Sequence, residues 1–203
     1  MRKRLAFLLA AAMLLAGVLA GCGGKGSLTG TWRGTIDITE SMNAEMGKAD
    51  GMEFSDSAFE GLTFDLMLTM NEDNTFSMAA DRESVKVCAD KMKEQFKTVI
   101  LDTLEKQLKK EGTGLSVEKA LAAAGMNIED IIESAGFDSS MDKVAAALTQ
   151  EGSYRNEDGN LYFSEEPCPY QIEKGVLTIE AAESAAGEAY VQTIFPLVME
   201  KAE

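Results

Sequence analysis

Two stretches of alternating apolar and polar residues bracket a block in which apolar residues recur every fourth position, and this change of period constrains the fold most. Before the block, Trp32, Gly34, Ile36 and Ile38 alternate with Thr31, Arg33, Thr35, Asp37 and Thr39. Phe64, Leu66, Leu68 and Met70 repeat the pattern, which resumes with Phe76 and Met78 after the polar turn Asn71-Glu72-Asp73-Asn74. Period two describes half-buried antiparallel strands, the second and third forming a hairpin. Within the block, Cys88, Met92, Phe96, Ile100, Leu104 and Leu108 lie on one face of a long amphipathic helix ending at Gly112. Shorter helices are expected over residues 116–124, 127–135 and 139–150. Gly125 and Gly136 stand where C-terminal caps belong, while Asn127 with Asp130 and Ser139 with Asp142 supply N-terminal caps and acidic first turns.

From Gly152 the period returns to two. Strands are expected over Ser153 to Asn156, at Leu161 and Phe163, at Tyr170 and Ile172, at Leu177 and Ile179, and from Tyr190 to Met199. Asp158-Gly159 and Lys174-Gly175 are tight hairpin turns, and Pro196 disfavours a central hydrogen-bonded place in the last strand. The reading is α+β: an antiparallel barrel of about eight strands, built from residues 28–83 and 151–203, with an α-helical insertion over residues 84–150. A barrel of that size encloses room for side chains or one small ligand. Glu40 to Gly61 reads as a long polar loop with room for a helical turn, and its length suits a functional flap. Met42, Met46 and Met52 within it are read as adaptable apolar packing before a Cu(I) site.

Gly30-Thr31-Trp32, followed by Gly34, resembles the Gly-x-Trp opening of lipocalin-like (calycin) barrels. Together with the stretch from Asn71 to Phe76 it looks like the small lipocalin-like lipoproteins of bacteria. The resemblance implies a barrel fold, with Trp32 a structural plug at the barrel floor. The helical insertion departs from that pattern.

At the N-terminus, Arg2, Lys3 and Arg4 precede an uncharged run from Leu5 to Ala20 and then Gly21 and Cys22, the layout of a secretory signal. The run is shorter than the ~20 residues of a spanning helix. Leu19-Ala20-Gly21-Cys22 resembles the lipobox of bacterial lipoproteins. That resemblance implies a signal peptide over residues 1–21, diacylglycerol on Cys22, a lipidated tether over residues 22–27, and an extracytoplasmic protein whose membrane partner is reached through that lipid. Two acyl chains anchor stably where one is marginal.

Removing residues 1–21 takes away three cations and no acid, leaving 16 Lys+Arg against 34 Asp+Glu and moving the net charge from −15 to −18. Such a charge repels nucleic acid, which is not an expected partner. With Cys22 lipidated, Cys88 and Cys168 are the remaining thiols, either bridged in an oxidising compartment or buried as small hydrophobes.

No histidine is present, which excludes Ser-His and Cys-His nucleophilic machinery. No carboxylate spacing singles out an acid and a nucleophile, and Asn156-Glu157-Asp158-Gly159-Asn160 is a hairpin turn before it is a calcium loop. Neither an enzyme, a metal nor a cofactor is expected. Two functions remain open. One is a binding module holding a small hydrophobic or amphipathic ligand in the barrel, contacted by Phe64, Phe76 and Tyr170. The other is a structural or protein-interaction lipoprotein with a filled barrel and a partner-binding helical insert.

Overall fold

The computed structural model describes residues 27–46, 58–183 and 193–202. Strand β1 (Gly30–Asp37) pairs along its whole length with β2 (Thr63–Met70), and β2 pairs with β3 (Thr75–Ala80). Asn74, with φ 63°, turns the β2–β3 hairpin, and the Asp73 carboxylate accepts from the Thr75 amide at 3.0 Å. Beyond the helices come β4 (Gln150–Ser153), β5 (Arg155–Glu157), β6 (Asn160–Tyr162), β7 (Cys168–Glu173), β8 (Val176–Ile179) and β9 (Leu197–Lys201). Asp158-Gly159 and Lys174-Gly175 both have positive φ at each residue, the conformation that matches a tight turn to strand twist.

The strands form one antiparallel ladder in the order β4-β3-β2-β1-β9-β8-β7-β6-β5. Its two outermost members are separated in sequence by Tyr154 alone, so a single bent strand changes partners and nearly closes a barrel. Tyr154 is buried at the bend, its amide donating to the Asn74 carbonyl at 2.8 Å and its hydroxyl to the Asn71 carbonyl at 3.3 Å. The bend explains why nine strands stand where eight are expected: the predicted strand over Ser153 to Asn156 is divided there. The final strand also moves, beginning at Leu197 rather than near Tyr190. Pro196, which has no amide to give, directly precedes it, and residues 190–192 lie outside the described segments.

Four helices occupy the connection from β3 to β4: α2 (Arg82–Glu111), α3 (Val117–Ala123), α4 (Ile128–Ser134) and α5 (Phe137–Leu148). Asp81 caps α2 by accepting from the Ser84 amide, and Asn127 caps α4 through Asp130 as expected. Ser139 is not a cap: α5 starts two residues earlier, at Phe137, after Gly136 in the left-handed region. The segment after β1 also holds more order than a loop, for α1 (Thr39–Met46) runs two turns. Asn43 on α1 clamps both backbone polar groups of Phe59, and Thr39 Oγ1 accepts from the Leu62 amide, which sets buried Phe59 and Leu62 beneath it. Residues 47–57, Met52 among them, lie outside the described segments.

Helix α2 crosses the end of the barrel where β1 finishes and β2 begins. Ser84 Oγ accepts from the Asp65 amide, Lys91 Nζ donates to the Gly61 carbonyl, and Gln95 hydrogen-bonds both backbone groups of Glu60. Its apolar stripe, Cys88, Ala89, Met92, Phe96 and Ile100, joins the inward residues of the strands in one buried cluster. Trp32 is buried nearer the opposite end, where β1 begins, and its Nε1 donates to the Leu28 carbonyl at 2.7 Å.

Candidate functional site: the groove between α2 and α5

The inward-facing barrel positions belong to the chain's own core. Leu66, Leu68, Met70, Leu161, Leu177, Ile179 and Met199 are all buried. Of the three residues expected to meet a ligand in the interior, Phe64 and Phe76 are also buried in that cluster, and Tyr170 packs half-buried against it. The structure separates Phe64 from Phe76. Phe76 pairs with Met70, so Phe64 stands six residues, about 20 Å, further along β2 toward the helices. Phe76 meets the Phe163 ring edge-on at 4.8 Å between centroids, and the Tyr170 hydroxyl reaches Asn156 Oδ1 at 3.1 Å.

Cys88 and Cys168 are both free thiols, so the expected bridge is not formed. Topology keeps them apart. Cys88 lies on the helix packed over β2, whereas Cys168 lies on β7, with three strands between β2 and β7 in the ladder. A disulfide needs Cα atoms within about 7 Å. Burial pushes the Cys88 thiol up to about 11 and raises Cys168 as well. Cys22 lies outside the described residues.

An open space of about 680 Å³ lies between the first three turns of α2 and α5. Its floor is Ala80, Val85, Ala89, Met141 and Ala145, and Ala80 is the last inward residue of β3, so the groove begins where the barrel hands over to the helices. One end is closed by the Phe96–Phe137 edge-to-face contact at 5.1 Å and by Lys93, which bridges Asp138 at 2.5 Å and Asp90 at 3.4 Å. The hydrogen bond to Asp138 raises the Lys93 pKa above its usual value, and the one from Lys86 lowers that of Asp90. The volume falls within the range of small-molecule sites, and an apolar floor under charged walls suits an amphipathic ligand.

None of these residues stands out in the linear sequence, because the walls come from helices some fifty residues apart. The available signals are local: Lys86 with Asp90 and Asp138 with Asp142 at helical spacing, and alanine at 89, 145 and 146 where longer apolar residues would close the helices together. A smaller outer-surface hollow of about 480 Å³ follows β1 and β9 near Gly34 and Val198. Among the described residues there is no cluster of three or more metal-ligating side chains, and no helix is long and apolar enough to cross a membrane. Compared with known protein families, with curated proteins and with solved structures, the chain matches none.

Proposed function

We propose that this chain is a lipid-anchored extracytoplasmic lipoprotein, lipocalin-like in its barrel, that binds a small amphipathic ligand in the groove between α2 and α5. The barrel serves as a self-filled scaffold. The observation that carries the reading is the location of the space: inward barrel positions are packed by the chain's own side chains, while the groove lies between the helices. Anchoring rests on the lipobox-like Leu19-Ala20-Gly21-Cys22. Native mass spectrometry of protein from its own source tests the ligand. A co-bound small molecule is expected, and Ala146→Phe, placed on the exposed wall of the groove, should remove it. An adduct that survives Ala146→Phe but is lost in Phe64→Leu would return the ligand to the barrel. Cys22→Ser should move the protein out of the membrane fraction, and unchanged attachment would contradict the anchor.

A second reading, docking of a protein partner on the insert, is favoured by the exposed apolar residues Val87, Val144, Leu115 and Met126 on and between its helices. Loss of a partner cross-link on changing Val87 and Val144 to serine, with small-molecule binding unaffected, would support it.

A further inference from the structure

Six charged side chains line the groove, and four of them neutralise one another. Lys86 pairs with Asp90, and Lys93 pairs with both Asp90 and Asp138, a chain of two cations and two anions. That leaves Arg82 and Asp142, neither of which forms an ion pair among the described residues. Arg82 stands on one wall and Asp142 on the other.

Their separation follows from the packing of the helices. Lys93 against Asp138 and Phe96 against Phe137 fix one end of the α2–α5 pair, and the Met78–Gln150 strand pairing fixes the other, so the two helices run antiparallel. At ~1.5 Å of rise per residue, Asp142 lies about one turn from the Lys93 level toward the start of α2, and Arg82 lies about 10 Å beyond it. Between the two levels the floor carries small apolar side chains, Ala80, Val85, Ala89 and Ala145.

We infer, resting on the groove reading above, that the ligand is a zwitterion whose two charges are offset by about 10 Å along the groove, a length that an extended peptide of about three residues covers. Its carboxylate meets the Arg82 guanidinium and its terminal ammonium meets the Asp142 carboxylate, both as charge-assisted hydrogen bonds. Its side chains are small and apolar, matching the alanine floor. A fatty carboxylate would answer Arg82 and leave Asp142 without a counter-charge; a peptide with free termini answers both.

The test titrates the isotope-labelled full chain with trialanine while its amides are followed by NMR. The amides of Ala89 and Ala145 should shift to saturation. N-acetylation of the peptide should weaken binding to the unmodified protein about ten-fold and make no difference to Asp142→Asn; C-terminal amidation should do the same with respect to Arg82→Gln. Both side chains are exposed, so neither variant threatens the fold. No saturable shift at millimolar trialanine, or equal binding by the blocked peptides, overturns the inference. If a single-chain amphiphile still moves the Ala89 and Ala145 amides, the groove stands as the site and only the peptide class falls. If neither ligand moves them, the groove reading falls too.

Discussion

Lys201 Nζ lies 5.4 Å from the centroid of the Trp32 ring, joining the last strand to the first across the β1–β9 pairing. Gly30 makes the approach possible, since a Cβ there would come within 2.9 Å of Lys201 Cε, and its φ of 126° is one that side-chain-bearing residues rarely adopt. Trp32→Ala is expected to cost roughly 3–5 kcal/mol in urea unfolding, because it empties a fully buried ring site. Lys201→Met keeps the stem and removes the charge, and should cost roughly 0.5–1 kcal/mol. Equal losses in the two variants would show that Trp32 is not the plug.

The thiols differ in surroundings. Cys88 is buried on the inner face of α2 with its pKa raised to about 11, and Cys168 is only half-buried on β7. Cys88 and Cys168 are both expected to react with a thiol label under denaturing, non-reducing conditions. In the native state at neutral pH, Cys168 should alkylate first and Cys88 only as the protein opens. Failure of both residues to react in protein from its own source would contradict the arrangement.

Acid should loosen the start of α2. The Ser84 amide donates to the Asp81 carboxylate at 2.8 Å and holds its pKa below the usual 3.8. A depressed folded pKa contributes stability above the unfolded value and loses it as pH falls through the folded one, so the loss belongs below about pH 4. Asp81→Asn still caps but does not titrate. Its urea midpoint should fall less than that of the parent between pH 7 and about pH 3; parallel falls would rule out Asp81 as a contributor.

The strand and helix periods were legible because each of those elements buries a face at its own spacing. Trp32, Gly34 and Ile36 point inward on β1, and Cys88, Met92, Phe96 and Ile100 lie along α2 as the four-residue recurrence requires. The bend at Tyr154 was not legible, since it depends on hydrogen bonds to the distant carbonyls of Asn71 and Asn74. Helix α1 was legible only as a single turn, because it buries no residue fully and the side chains that hold it, Asp37 accepting from the Thr39 amide and Asn43 clamping Phe59, act on backbone that the apolar pattern does not report. The three aromatic residues expected to gather around a ligand were read from facing alone, which does not report distance along a strand. The groove was illegible for a related reason: which helices lie side by side is a tertiary fact.

The helices are inserted topologically but not independent energetically. Residues 81 and 149 flank neighbouring strands, as the Met78–Gln150 pairing shows, so a short Gly-Ser linker can join them. Yet Cys88, Ala89, Met92, Phe96, Phe137 and Met141 share one buried cluster with Phe64 and Leu66. Excision of residues 82–148 should therefore weaken the barrel as well, giving a non-cooperative unfolding curve and binding of an apolar dye. Retention of a cooperative β transition by circular dichroism would show that the barrel stands alone.

With the barrel filled and the ligand held between α2 and α5, binding should be felt on the helices alone. Amide chemical-shift mapping of the isotope-labelled full chain with the small molecule recovered from its native source distinguishes the two places. Perturbations are expected at Ala89, Asp90, Met141 and Ala145, with Leu66, Leu161 and Leu177 unmoved. Perturbations centred on those three leucines, with the helices silent, would contradict the groove as the site.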